Sequence, residues 1–275
     1  MNYRHAFHAG NHADVLKHVT LMFCLDALKR KDAPFGVLDT HAGRARYDLF
    51  SAEAMRSPEW RQGIGELWGW EEAPAPVQRL TEAIGQDNAD GALRYYPGSP
   101  LLIARALRAG DTLEACELNP QEYATLRQTM ARQNGVRVHE RDGFEALRAL
   151  LPLKQRRGLV LVDPPYEEPD EVTKTLDGLA SALERFGHGV YLWWRPLKSA
   201  NELNRADAQV RAHGARSLLR ADLWVDTATP LGRLQGSSVL VINPPFGLDA
   251  ALNQTLPAMA KRLSRGAAGS RVVAA

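Results

Sequence analysis

Cysteine is nearly absent: Cys24 and Cys116 stand far apart and without metal-ligand spacing. That excludes a disulfide framework and a cysteine-based zinc set, and it points to buried free thiols in a reducing cytoplasm. Long apolar runs are missing as well. None approaches the ~18 residues of a membrane span, and Met1-Asn2-Tyr3-Arg4-His5 leads into no apolar signal core. Neither sign of charge dominates, with 34 Lys and Arg against 32 Asp and Glu, net +2. So mild an excess does not mark a nucleic-acid binder, and any such contact must come from local patches. Internal repeats and low-complexity tracts are also lacking. The remaining composition, 45% hydrophobic and 24% charged over 275 residues, suits a soluble globular chain with a substantial core. It allows one large domain, or one domain with an insertion.

The first helix is expected from Asn11 to Lys31. Asn11 suits its cap, Asp14 its first turn and Lys29-Arg30-Lys31 its last. Val15, Val19, Met22 and Phe23 give it an apolar face at helical spacing. Seven strands are expected. Phe35 to Leu38 ends at Asp39, Thr112 to Cys116 ends at Glu117, and Val136 to His139 precedes Asp142-Gly143. Gly158 to Val162 ends at Asp163, and Gly189 to Trp194, Leu218 to Val225 and Ser238 to Ile242 follow. Helices between them imply an α/β fold: a mostly parallel seven-stranded sheet with helices on both faces. From Arg44 to Tyr96 the pattern breaks, with Trp60, Leu67, Trp68, Trp70, Val77, Leu80 and Ile84 among polar residues. This reads as a small helical insertion (44–96) in a core made of 1–43 and 97–275. Arg265 to Ala275 read as a loose tail.

Asp39, Glu117, Asp142 and Asp163 fall at or just after the ends of four successive strands. In an open α/β sheet such ends share the ligand-binding edge. One acid there can hold a cofactor's amino-acid end through bound groups, the next can bridge ribose hydroxyls, and the third can accept from an adenine amino group. The fourth faces the substrate. The bland reading of each acid is a solvated turn. The turn Asp39-Thr40-His41-Ala42-Gly43 has one glycine in place of the G-x-G-x-x-G series, which disfavours a dinucleotide. Gly43 lets backbone approach a ligand. His41 is read either as a contact to a cofactor carboxylate or as a capping or core histidine.

Asp163-Pro164-Pro165-Tyr166 ends the apolar run Gly158 to Val162. The lone pair of an adenine N6 is delocalised into the ring. Hydrogen bonds from that amino group to the Asp163 carboxylate and the Pro164 carbonyl favour a pyramidal nitrogen, able to attack a sulfonium methyl in line. Pro165 stiffens the loop and donates nothing, and Tyr166 offers a face on which an extruded base can stack. Placement and electrostatics, rather than strong base action, would carry the rate. The bland reading is a proline-stiffened turn. A second copy, Asn243-Pro244-Pro245-Phe246, follows Val239 to Ile242. Strand order favours the copy at 163, because it follows three strand–acid units, and the copy at 243 is read as structural.

The stretch from Tyr3 to His18 holds four histidines and two aromatics. His8 and His12 have i, i+4 spacing, but no Cys or Glu completes a zinc set, so no metal is expected. Stacking and phosphate contacts suit Tyr3, Arg4 and His5. Lys17 and His18 are read as reaching a cofactor's anionic end, with a solvated helical face the alternative for Lys17. The clusters Lys29-Arg30-Lys31, Arg44 with Arg46, and Arg156-Arg157 are read as surface, with Arg44 and Arg46 placed next to the cofactor turn.

Taken together, these blocks resemble the bacterial 23S rRNA adenine-N6 methyltransferases of the RlmJ family. The markers are the segment Tyr3 to His18, Asp39-Thr-His-Ala-Gly43, Tyr95-Tyr-Pro-Gly-Ser-Pro100, Asp142-Gly143-Phe144 and Asp163-Pro-Pro-Tyr166. The resemblance implies a Rossmann-like class I methyltransferase, with S-adenosyl-L-methionine as cofactor and one adenine of 23S rRNA as substrate. It implies a cofactor pocket of His18, His41, Ser99, Glu117, Asp142, Gly143 and Asp163, with Asp163 the acceptor and Tyr3 on the RNA. Arg44 departs from the small residue the family tends to carry after Gly43. No membrane association and no obligate protein partner are expected. A DNA adenine or protein glutamine methyltransferase shares the tetrapeptide, and a non-catalytic RNA-binding protein is the remaining alternative.

Overall fold

The computed structural model describes residues 4–226 and 236–275. Tyr3 lies outside the described residues. The Asn11 side chain accepts from the amides of Ala13 and Asp14, satisfying donors that open a helix. That helix, α1 (His12–Lys29), leads to the short strand β1 (Gly36–Asp39). Next come β2 (Arg46–Asp48), α2 (Ala52–Arg56), α3 (Ile64–Leu67), α4 (Ala75–Gly85) and β3 (Tyr95–Pro97). Helices and strands then alternate: α5 (Ser99–Ala106), β4 (Thr112–Glu117), α6 (Pro120–Met130), β5 (Val136–Glu140), α7 (Gly143–Ala149) and β6 (Gly158–Val162). They continue as α8 (Glu171–Phe186), β7 (Val190–Pro196) and α9 (Ala200–Ala212), and end as β8 (Leu218–Trp224), β9 (Gly236–Ile242), α10 (Leu248–Arg262) and β10 (Gly269–Ala274).

Among the described residues the main sheet has eight strands in the order β10-β8-β9-β7-β6-β1-β4-β5. The five from β5 to β7 are parallel, and β9 runs antiparallel to both β7 and β8. The expected seven strands omit β10, which pairs antiparallel with β8 from Gly269↔Trp224 to Ala274↔Leu219. This segment, read above as a loose tail, has only Val272 and Val273 as strong strand formers. Its pairing with β8 supplies order that the local sequence does not announce. A second departure is the β2–β3 ribbon, which places two strand segments within or beside a stretch read as wholly helical.

β6 is buried along its whole length and feeds two cores. Leu159 and Leu161 pack with α1, α5 and α10 on one face, while Val160 and Val162 pack with α7, α8 and α9 on the other. The alternation is the period-two geometry of a strand, and burial on both faces explains the continuous apolar run. Val77, Leu80 and Ile84 of α4 join the core of α1 rather than forming one of their own. Arg157 is not a free surface charge. With Arg108 it donates to carbonyls at the end of α1 and in the turn after it, and the two guanidiniums lie near the Phe35 ring.

The chain passes from β1 out to β4 and β5, then returns to β6 on the other side of β1. The C-terminal ends of β1 and β6 therefore flank a topological switch point, where open α/β sheets bind ligands.

Candidate active site

A cavity of about 1060 Å³ opens at that switch point. Its walls include Lys17 and His18 of α1, His41 and Gly43 after β1, Ser99 of α5, Glu117 of β4 and Asp163 to Tyr166 after β6. Parallel strands thus bring acids separated by long stretches of chain to one edge.

Lys17 joins two of them. Its Nζ lies 2.5 Å from Asp163 Oδ2 and 2.8 Å from Asp14 Oδ1. Burial alone would lower the Lys17 ammonium, but the two carboxylates overcome it and hold the group above its ordinary value. Asp14, which burial would raise, is held well below the usual carboxylate range by His5 and Lys17. It also accepts from the Gly10 amide at 2.8 Å and pairs with His5 Nε2 at 2.9 Å. Lys17 is therefore engaged with the loop after β6. Asp163 Oδ1 has no hydrogen-bond partner among the described residues, so one carboxylate oxygen remains for a ligand.

Asp39 is buried beneath this layer. Burial, with the Asp163 charge adding to it and the Ser99 hydroxyl opposing, pushes its carboxyl up to about 7. Ser99 Oγ donates to Asp39 Oδ2 at 2.7 Å, while Asp39 Oδ1 is buried without a partner. His18 Nδ1 lies 2.7 Å from Tyr96 Oη, and its buried Nε2 also lacks a partner. Burial pushes His18 down to about 3 and His41 down to about 4, so both rings are neutral near pH 7. The Thr40 hydroxyl donates its one proton to the Leu161 carbonyl at 3.0 Å and lies 2.7 Å from His41 Nδ1. It must accept from that nitrogen, which leaves His41 Nε2 as an acceptor. A carboxylate needs a donor, so in this tautomer the expected contact from His41 to a cofactor carboxylate does not fit, and an amino group suits it.

Glu117 Oε2 accepts from the Gly43 amide at 2.9 Å and Oε1 from the Asn119 amide at 2.8 Å. Burial raises its carboxyl despite these bonds. Each oxygen keeps a second lone pair for a hydroxyl. Asp142 and Gly143 are not among the residues that line the cavity. Asp142 caps α7 through the Phe144 amide at 2.7 Å. A Cβ at Gly143 would lie 2.2 Å from the Thr40 carbonyl and 2.6 Å from His41 Cε1. Gly143 thus serves close packing behind His41.

Tyr166 sits in the left-handed region at φ +55°. Its hydroxyl donates to the Trp194 carbonyl at 2.7 Å and accepts from Trp193 Nε1 at 2.8 Å. The ring, tied at its far end, remains part of the cavity wall. His5 also lines the cavity, edge-on to Tyr47. Arg4 does not, and donates to Gln121 at 3.1 Å. The second tetrapeptide lies at the opposite edge, because β9 is antiparallel to β7 and ends beside the start of that strand. Asn243 donates to the carbonyls of Gly187 and Gly189, which is a turn-tying role.

Several participants escape a reading of the sequence. Asp14 passes for a first-turn acid, although its i, i+3 spacing to Lys17 is a usable signal. His12 is buried in the cavity wall with neither ring nitrogen partnered, and nothing local marks it. Arg44 pairs with Glu122 through two bonds, at 2.8 and 2.5 Å, which fixes the loop after Gly43 to α6. His8 pairs with Glu59 at 3.0 Å. Among the described residues no group of three His, Cys, Asp or Glu side chains converges on a metal position. No described helix is long and apolar enough to cross a membrane.

The family model for "Ribosomal RNA large subunit methyltransferase D, RlmJ" matches residues 32–274. The chain is 39% identical over 273 residues to ribosomal RNA large subunit methyltransferase J of Escherichia coli K12, covering 99% of this chain and 98% of that one. It is also 39% identical to the protein of the same name from Haemophilus influenzae, over 274 residues and the same shares. The crystal structure of protein LPL1258 from Legionella pneumophila superposes with a TM-score of 0.89 at 32% identity, covering 97% of this chain and 98% of that chain. A matched segment this long, joined to near full-length relatives and an eight-stranded Rossmann-like sheet, places the chain in the RlmJ family of large-subunit ribosomal RNA methyltransferases.

Proposed function

We propose that this protein transfers the methyl group of S-adenosyl-L-methionine to N6 of one adenine in 23S rRNA. The observation that carries the reading is Asp163 at the switch point, with Oδ2 tied to Lys17 and Oδ1 open. The cavity chemistry suits the cofactor: His18 Nε2 and Asp39 Oδ1 are unpartnered polar atoms in or beneath its wall, and Glu117 keeps acceptor capacity. His18, His41, Ser99 and Glu117 would hold it, with Gly143 and Asp142 supporting the wall behind. When bound, the cofactor supplies an electrophilic sulfonium methyl.

The chain's own groups do the rest. Asp163 Oδ1 and the Pro164 carbonyl accept the two N6 protons and draw the nitrogen toward a pyramidal shape. Lys17, bonded to Asp163 Oδ2, fixes its rotation. The N6 proton becomes acidic only as the methyl transfers, and it can then pass to Asp163 without a strong base. Pro165 and Tyr166 stiffen and wall the acceptor loop. The adenine must leave its stack to enter, so a flipped or unpaired base is the substrate, and phosphate contacts make binding salt-dependent. Residues 44–96 serve as the insertion in a core of 1–43 and 97–275, and the protein works in the cytoplasm with its rRNA.

The test is methyl transfer to purified rRNA, DNA and protein, followed by mass spectrometry of nucleosides. The expected product is N6-methyladenine in 23S rRNA only, and exclusive labelling of DNA or protein would overturn the reading. Asp163→Ala is expected to lower the rate about 10²–10³-fold, whereas Asn243→Ala leaves it unchanged.

A further inference from the structure

The acceptor loop does not hold its own shape. Tyr166 has φ +55°, a conformation disfavoured for a bulky residue. Something outside the tetrapeptide must impose it. The Tyr166 amide donates to Glu171 Oε2, and the Glu168 amide donates to Glu171 Oε1 at 3.3 Å. Both oxygens of one carboxylate are thus spent on the backbone at the last residue of the tetrapeptide and just beyond it.

Glu171 is an odd residue to find there. It is 4% exposed, and it forms no ion pair among the described residues. Burial raises its carboxyl, with backbone amides opposing. A buried carboxylate without a cation is costly unless its hydrogen bonds are specific. Capping does not account for it. Glu171 lies in the first turn of α8, yet its side chain accepts from the preceding loop and not from the free amides of its own helix. It ties the loop to the helix. Glu171 does not line the cavity, so it reaches the chemistry only through that loop.

We propose that Glu171 is a positioning residue for methyl transfer: its carboxylate imposes the left-handed turn at Tyr166 and so aims the Asp163 and Pro164 acceptors. The inference deepens the methyltransferase reading and rests on it. The far end of Tyr166 is fixed independently by Trp193 Nε1 and the Trp194 carbonyl. Losing Glu171 therefore frees the backbone of the turn while the ring stays tethered. Displacements of about an ångström near reacting atoms cost up to roughly 100-fold in rate.

The experiment compares Glu171→Ala, Glu171→Gln and Leu179→Ala with the wild type. Leu179 is a fully buried residue of the same helix and reports the effect of destabilising α8 alone. For Glu171→Ala, kcat should fall by about 10–100-fold with KM for S-adenosyl-L-methionine unchanged. Glu171→Gln keeps one acceptor oxygen and should fall between. Leu179→Ala should lower Tm with little loss of kcat. A crystal structure of Glu171→Ala should show Tyr166 out of the left-handed region, a readout that needs no turnover. Retention of that φ, wild-type kcat in Glu171→Ala, or an equal kcat loss in Leu179→Ala would overturn the proposal. A wild-type protein that methylates no rRNA would instead overturn the functional reading.

Discussion

Replacing Lys17 with Met removes the ammonium that joins the buried Asp14 carboxylate to the partly buried Asp163. The three side chains are 6% exposed for Lys17, 1% for Asp14 and 15% for Asp163. Removing one partner of a buried pair costs about 3–5 kcal/mol, because the remaining charge stays desolvated. Most of that cost should fall on Asp14, the more deeply buried acid. For a chain of this size it corresponds to a fall in Tm of roughly 6–10 °C. The pH dependence has a definite sign. In the wild type the lowered Asp14 carboxyl contributes stability above its unfolded pKa, lost as pH falls through the folded value. The raised Lys17 ammonium contributes stability that is present below its unfolded pKa and lost only in strong alkali. Without Lys17, burial at Asp14 is opposed by His5 and the Gly10 amide alone among these contacts, so its carboxyl rises relative to the wild type and the variant gains relative stability as pH falls. The difference between the two proteins should be widest near about pH 8 and narrow toward about pH 4. Thermal unfolding at both pH values measures it. Adding Asp14→Asn to Lys17→Met removes the stranded charge and should restore most of the Tm. It should not restore methyl transfer, because Asp163 still lacks its partner. A pH-independent difference, or a double variant as unstable as the single one, would refute this account.

Asp39→Asn should stabilise the protein at about pH 8 and not at about pH 4. The Asp39 carboxyl is raised to about 7 by burial, so the wild type loses stability as pH rises from the unfolded pKa through that value. Denaturant midpoints at the two pH values check it. Gly143→Ala forces a methyl group against the Thr40 carbonyl and the His41 ring. It should weaken S-adenosyl-L-methionine binding by about tenfold, equivalent to roughly 1.4 kcal/mol, as read by calorimetry.

The acids of β1, β4 and β6 are legible because each closes a segment that reads as a strand, and a parallel sheet carries such ends to one edge. Asn11 was legible for a local reason: capping depends on the next three residues. What stayed hidden is long-range or cooperative. Lys17 and Asp163 are 146 residues apart, and no local spacing connects them. Arg157 looks like surface charge until the turn after α1 folds around it. β10 is ordered by a neighbour rather than by its own residues. His41 was visible as a residue, but its role depends on which nitrogen Thr40 engages. The two tetrapeptides look alike in one dimension and are told apart by strand direction.

The pairing of Lys17 with Asp163 also bears on when the protein becomes competent during its own synthesis. Chains emerge amino end first, so α1 leaves the ribosome well before β6. Until β6 docks beside β1, the ammonium has only Asp14 as a partner and the acceptor loop does not exist. On the proposed role of Asp163, competence for methyl transfer therefore arrives only after more than half of the polypeptide has been released.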